Sequence, residues 1–513
     1  MINGMIAMMK QVFDLASQAN IAKRWFWLFC LLHLLVWTLI PTLTRGNPPF
    51  DSVEGVAWGN QWQWGYDKHP FLAPWITAFA VRVFHAVDWP IYFLGALSIA
   101  IAFMAIWKLA SQCLPPLHAL CAVMLLEGIY YHNIAASQFN PNVLMVPLWA
   151  LTILFFYKAL TQQKWMQWIA VGVLAGLALI TKYETLLLLA MMFICLWITI
   201  KARASFKNPG LYLGLIVFMI VIAPNMIWLY QHDFISLTYT FNRANSDRVT
   251  DLSPLFNHLY HPFNYLLEQS LALLPLLLLF LPFVRANNEQ WRVDFFDRWF
   301  ILILGLGPFI TVAVLSVVTG MWVHSLWAFP FFTLVGILIM MWRKPEINVV
   351  SLRRFLILFW IFFSLLVIAR GIFLYYGPYW QHKTNSAQFP GKIISEKLTN
   401  RWQQQFHKPL AYVAGYRTLV EHISVYSVNH PIPYFEWSLA ASAWVDENQM
   451  RRTGALFVWF EPTDVKQSIL PTDIAARFPQ AVPQPVLEVS HLTGANIEPV
   501  RVGYAFLPPA ENK

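Results

Sequence analysis

The sequence predicts a polytopic α-helical membrane protein of about eleven spans with a C-terminal α/β domain, and three observations carry that reading. Of the 513 residues, 58% are hydrophobic and only 12% charged, about half the charged share of a soluble domain, which excludes a soluble enzyme with one core. Several uncharged runs approach or exceed the length needed to cross a bilayer. After Tyr376-Gly377-Pro378 the composition turns to that of a soluble domain. The formal charge of +9 does not point to nucleic acid, because the Lys and Arg stand between apolar runs rather than in patches. There they set membrane orientation.

In chain order, residues 1–24 read as a cytoplasmic N-terminus, with Lys23 and Arg24 ahead of the first apolar run, Trp25 to Leu43. That run starts too late for an ordinary signal peptide and has no small-residue cleavage site after it. Further spans are expected near 90–110, 117–136, 140–157, 165–181, 184–200, 210–230, 263–284, 299–318, 322–342 and 355–376. With the N-terminus inside, bases such as Lys108, Lys158, Lys201, Arg285, Arg343 and Arg354 fall at cytoplasmic ends, and an odd span count leaves the C-terminal region outside. The outward loops hold few bases, Arg45, Lys68, Arg82, Lys182, Arg243 and Arg248, and each needs a reason to be there.

Two outward loops are long, 44–89 and 231–262, so chemistry is expected on the outer face. Within the first, Leu72, Trp75, Phe79 and Val83 recur at helical spacing and predict a helix lying in the membrane interface between Pro70 and Asp88. Across 377–513, helices are expected at Gly391–Phe406 and Arg417–Ser427, and strands at Leu410–Ala414, Ala455–Phe460 and Val500–Leu507. The four cysteines lie in or beside spans, so no disulfide framework is implied. No glycine loop of the phosphate-cradling kind and no Cys/His zinc spacing occurs. A divalent metal is possible, but no spacing supports one, and no cofactor is implied.

The most informative stretch is Phe50-Asp51-Ser52-Val53-Glu54, followed by Trp64-Gly65-Tyr66-Asp67-Lys68-His69-Pro70. Asp51 and Glu54, three apart, share one face of a short helix at the outer surface, and a lysine among aromatics follows. A carboxylate there can deprotonate an acceptor, and Lys68 can neutralise a phosphate. Solvated loop charges are the plainer reading, and it weighs most for Glu54, Asp67 and His69. Glu127 lies inside an apolar run, with catalytic use and structural pairing both open. Lys182 beside Glu184 is either a snorkelling interfacial pair or a phosphate ligand. His324, between Trp322 and Trp327, is either an aromatic-belt residue or a substrate contact. Arg243 can clamp an anionic acceptor.

The Phe-Asp and Trp-Gly-Tyr-Asp-Lys-His-Pro pattern resembles the first periplasmic loop of bacterial C-type glycosyltransferases. These include protein O-mannosyltransferases, lipid A aminoarabinose transferases and lipopolysaccharide galacturonosyltransferases. Gln138-Phe139-Asn140-Pro141-Asn142, Thr181-Lys182-Tyr183-Glu184, Pro224-Asn225-Met226-Ile227-Trp228 and Trp322 through Ala328 look like further landmarks of the group, in the same order. Together they cover residues 25–376, the expected transmembrane glycosyltransferase domain, ahead of a periplasmic α/β domain at 377–513. The resemblance implies a polyprenyl-phosphate sugar donor used at the periplasmic face of the bacterial inner membrane, and a lipid, glycan or protein acceptor, foremost lipid A or lipopolysaccharide. It matches Asp51 to the catalytic loop aspartate, with Glu54 beside it, and Lys68 to a lysine near the donor phosphate. Tyr66 and Lys182 are expected to assist there, and Asp67, His69, Glu127, Asn142, His324 and Arg243 to meet substrate. Ser52 stands where the family often has Glu, Glu54 where some lipid A transferases carry arginine, and Asn142 where many relatives have a second acid. Neither a two-carboxylate mechanism nor aminoarabinose as the sugar therefore carries over.

Two other classes of function share the span count. A transporter or flippase of lipid-linked sugars is expected to show paired repeats and ionisable relays through several spans, and only Glu127 hints at one. A membrane-anchored scaffold has no need of an acid and a lysine in the first loop.

Overall fold

The computed structural model describes residues 2–244, 254–287, 289, 291–462 and 467–510; Arg248 lies outside them. Among the described residues seven helices are long and apolar enough to cross a bilayer, or nine if each of two sharply bent pairs is one span. The seven are Ser17–Thr44, Trp89–Cys113, Pro141–Gln162, Pro209–Gln231, Leu255–Val284, Phe295–Thr319 and Val349–Gln381. The first continues an unbroken helix from Ile2, so the expected boundary at residue 24 is not a break in structure.

Fewer than the expected eleven or so spans meet that length among the described residues, because the chain turns inside apolar runs. The stretch 117–136 bends by 91° between Pro116–Gly128 and Tyr130–Ser137, and Thr185–Ile198 bends by 96° into Ile200–Lys207. Trp165–Leu179 is a 15-residue helix, and 322–342 divides into a turn at Ser325–Ala328 and a helix at Val335–Arg343. Hydropathy records apolar length and is blind to direction. A break within a bilayer must satisfy the backbone groups it frees, and here Asn133 donates to the Glu127 carbonyl at 2.6 Å.

After the first span, Pro48-Pro49 turn the chain into a helix, Phe50–Gly59, whose residues from Ser52 to Gly59 are all buried. The interfacial helix runs Leu72–Phe84. It buries its small side, Ala73, Thr77 and Ala80, and leaves Phe79 and Val83 exposed, as a helix facing lipid on its apolar side does. Small residues are required on the buried side, since the backbone of Gly59 comes so close that a Cβ there would lie 2.2 Å from the Pro74 carbonyl oxygen.

The C-terminal domain holds strands β1 (Tyr412–Gly415), β2 (Ile432–Phe435), β3 (Ala455–Phe460), β4 (Val482–Pro483), β5 (Leu487–Val489) and β6 (Val500–Leu507) in the order β2-β1-β3-β6-β4, with β5 also on β6. β1 is parallel to β2 and β3, and β6 runs antiparallel to β3. Alternation along β3 sends Leu456 and Val458 to a core shared with Leu398 and Leu419, and Phe457 and Trp459 to a second core with Ile474 and Phe478. Both sheet faces are thus covered, the period-2 signature of an α/β layer. The domain and the first loop lie on one side of the bundle, as an odd span count requires: Gly46 N–H donates to the Ala387 carbonyl at 3.1 Å, and Asn47 Nδ2 to the Ser386 carbonyl at 3.1 Å.

Candidate active site

At the end of β1, Gly415 takes φ +145°, and a Cβ there would stand 1.8 Å from the Val458 carbonyl oxygen. Only glycine makes this turn. It launches the helix Arg417–Tyr426, which packs against Phe50–Gly59. The first loop is fixed from the other side. Asn225 Nδ2 donates to the Trp64 carbonyl at 2.6 Å, Ser236 Oγ to the Tyr66 carbonyl at 2.6 Å, and Tyr66 N–H to the His69 carbonyl at 3.0 Å. Residues 65–70 thereby form a tight hairpin that presents Lys68.

A cavity of about 200 Å³ opens between these elements and is lined by Asp51, Glu54, Lys68, His69, Asn142, Lys182, Arg243 and His324. These eight sequence-predicted residues converge although they come from five separate segments. Trp58, Asn140, Glu184, Tyr239 and Trp327 also line it; Asn140, Glu184 and Trp327 come from stretches named in the sequence, whereas Trp58 and Tyr239 were not singled out.

The two loop carboxylates have opposite environments. Asp51 is accessible from the cavity yet ringed by protein, and burial and the Glu54 charge raise its carboxyl above the ordinary value. Asn140 Nδ2 donates to Asp51 Oδ2 at 3.4 Å. Glu54 is buried, which by itself would raise it, but Lys68 and Arg417 outweigh burial and hold it low. Both cations reach the same oxygen, Oε1, each at 2.8 Å. For Lys68, burial opposes the charge and Glu54 outweighs it, so the ammonium is firmly protonated. Its Nζ also stands 5.6 Å from the Trp58 ring centre, a cation–π contact.

On the far wall Lys182 donates to Asn142 Oδ1 at 2.6 Å and pairs with Glu184 at 2.7 Å. Asn142, where relatives have an acid, is a neutral acceptor for that lysine. Ser52, the other departure, turns its hydroxyl to the Phe139 carbonyl at 2.9 Å and away from the cavity. Burial, with the Lys182 and Lys68 charges, drives His69 down to about 3, and burial, with Arg243 and Lys182, drives His324 to about 4. Both rings are neutral. The His324 Nδ1 accepts from Leu326 N–H at 3.1 Å, and Arg243 donates to the Tyr239 hydroxyl at 2.7 Å.

Three expected site residues stand outside the cavity lining. Tyr66 is fully buried, stacks on Trp58 with centroids 5.2 Å apart, and donates its hydroxyl to the Trp58 carbonyl at 2.8 Å. Asp67 is held by Arg417 Nη2 at 2.7 Å. Glu127 lies fully buried among spans, bound by His33 at 2.8 Å and by Trp37 Nε1 at 2.8 Å, which is structural pairing of an intramembrane acid. Glu54, expected as a catalytic partner, is an ion-pair member with its charge already neutralised.

Sequence reasoning missed Arg417 and Glu421. Glu421 is buried on the same helix, where Oε1 accepts no hydrogen bond and has His422 Nδ1 3.5 Å away, and burial and the Glu54 charge raise its carboxyl well above the ordinary value. No local signal marks Arg417 as a site residue, because the two acids it hydrogen-bonds are hundreds of positions away. Among the described residues no three His, Cys, Asp or Glu side chains gather as a metal set.

Residues 68–228 match the family model of dolichyl-phosphate-mannose-protein mannosyltransferases. No curated protein matches the chain in sequence. Among solved structures, ArnT from Cupriavidus metallidurans bound to undecaprenyl phosphate superposes with TM-score 0.61 at 13% identity, over 95% of this chain and 99% of that one. The apo form of ArnT superposes with TM-score 0.59 at 14% identity, over 96% and 100%. At such identity the likeness establishes the fold, and it includes the C-terminal domain. Between them, the comparisons show that this chain shares the fold of ArnT over nearly its whole length and carries, within its membrane part, a stretch similar to the mannosyltransferase family model.

Proposed function

We propose that the protein moves a sugar from a polyprenyl-phosphate donor to lipid A, lipopolysaccharide or another envelope acceptor at the periplasmic face of a bacterial inner membrane. The observation that carries the reading is the divergence of Asp51 and Glu54. One carboxylate faces the cavity with its basicity raised, and the other is neutralised by Lys68 and Arg417. Two titratable groups pushed apart in this way mark one base and one charge partner.

Asp51 accepts the proton of the acceptor hydroxyl or phosphate as the acceptor attacks the anomeric carbon, and the carrier phosphate departs with the bonding pair. Lys68 and Lys182 on the cavity wall stabilise the leaving charge, so no general acid is needed. A single displacement inverts the anomeric centre. The bound undecaprenyl phosphate of ArnT supports a carrier of that chemistry here, its tail lying along the exposed apolar helices.

The test is transfer by the purified protein from a panel of radiolabelled undecaprenyl-phosphate sugars to a membrane lipid extract, comparing wild type with Asp51→Asn. Removal of a general base is expected to lower turnover by about 10²–10⁴-fold. Turnover that survives in Asp51→Asn refutes the base assignment. A folded wild type that transfers none of the sugars refutes the donor.

A further inference from the structure

Arg417 belongs to the C-terminal domain, yet the two acids it hydrogen-bonds are in the first loop, while Glu436 of its own domain stands farther off, 3.9 Å from Nε. Its Nη1 donates to Glu54 Oε1 at 2.8 Å and its Nη2 to Asp67 Oδ2 at 2.7 Å. The guanidinium is 4.9 Å from the Phe435 ring centre and 5.8 Å from that of Trp58. A planar fork bonded at two corners and packed against two rings is fixed, and it does not reach the cavity. Lys68 shares Glu54 Oε1 with it, but through a point charge on a flexible four-carbon stem, and Lys68 lines the cavity.

The unequal sharing of one oxygen has a chemical consequence. A lysine that must take up a phosphate has to leave its carboxylate, and an abandoned carboxylate in a buried site is costly. Here it is not abandoned, because the arginine stays.

We propose that Arg417 is a positioning residue of the transferase site: it retains Glu54 and Asp67, and so releases Lys68 to bind the phosphate of an incoming polyprenyl-phosphate. The C-terminal domain is thereby part of the donor site through a residue that never touches the donor. The inference rests on the donor reading above and deepens it.

The experiment measures binding of undecaprenyl phosphate, without sugar, to the full-length protein in detergent, with a melting curve for each variant to confirm folding. Arg417→Gln leaves both acids to compete for Lys68, and affinity is expected to fall at least about tenfold, the size of a lost charged hydrogen bond. Adding Glu54→Gln and Asp67→Asn to that chain removes the competitors and is expected to restore affinity to within about threefold of wild type. A purely structural latch predicts the reverse, since stripping its remaining polar partners only worsens the interface. Arg417→Lys, which keeps the charge but can hold only one acid, is expected to fall between, and supplies the reading if Arg417→Gln fails to fold. In transfer assays Arg417→Lys is expected to raise the donor KM more than it lowers kcat.

Unchanged affinity in Arg417→Gln, or a triple variant no better than Arg417→Gln, overturns the proposal while leaving the donor reading intact. A folded wild type that binds no undecaprenyl phosphate overturns the donor reading, and this inference falls with it.

Discussion

Replacing Gly65 with Ala tests how finely the first loop is held. A Cβ at Gly65 would lie 2.2, 2.6 and 2.8 Å from three ring atoms of Trp228. The shortest is about 1.2 Å inside the 3.4 Å at which ordinary contact begins. Trp228 has little room to retreat: it is buried and stacks on His232 with centroids 4.1 Å apart and an interplanar angle of 15°. The hairpin must therefore shift by roughly 1 Å, and Lys68 with it. Overpacking of this size costs about 1–3 kcal/mol of stability. A displacement of about 1 Å in a group that orients a reacting centre costs about 10²-fold in rate. The assay is sugar transfer from the lipid-linked donor, alongside thermal melting of the same preparations. The double variant Gly65→Ala, Trp228→Leu opens the needed space and is expected to recover most of the lost rate. Full activity in Gly65→Ala, or no recovery in the double variant, would refute the claim that this contact sets the position of Lys68.

Two further outcomes follow from the buried polar groups. Because the folded Glu421 carboxyl is raised well above its ordinary value, the unfolded chain releases a proton that the folded chain keeps once pH passes the ordinary carboxylate range, so the fold loses stability as pH rises. Glu421→Gln removes that loss and is expected to melt at or above wild type at about pH 8, the difference closing towards about pH 4; melting below wild type at the higher pH would count against a neutral Glu421. Tyr66→Phe deletes the hydrogen bond to the Trp58 carbonyl and is expected to cost about 1 kcal/mol of stability, while undecaprenyl-phosphate affinity stays within about threefold. A larger loss of affinity would return Tyr66 to the phosphate.

The local parts of the molecule were legible from residue pattern. Gly391–Phe406, Ala455–Phe460 and Val500–Leu507 form as expected, since amphipathic period and β-branched or aromatic runs are short-range signals. So is the i,i+3 placement of Asp51 and Glu54. Span counting did less well at 117–136 and 322–342, because a chain buried within a bundle can turn while remaining apolar. β2, β4 and β5 passed unnoticed: each is four residues or shorter and is stabilised by neighbours distant in sequence. Lys68 of the loop motif lines the cavity, whereas Tyr66 and Asp67 of the same motif lie outside its lining. A motif records that residues occur together and not which of them faces the substrate. Arg417 had no motif at all; only the docking of two domains reveals it.

The separation of Arg417 from its partners, 363 positions from Glu54 and 350 from Asp67, bears on biogenesis. At ribosomal rates of about 5–20 residues per second, the first loop emerges tens of seconds before the arginine that secures it. During that interval the nascent chain has its membrane helices and Asp51, but Lys68 is the one cation of the pair already present to meet Glu54. On the proposed mechanism, competence to use a carrier lipid is then expected only after the final domain has folded. A chain stalled before that point is expected to occupy the membrane without acting on the proposed donor.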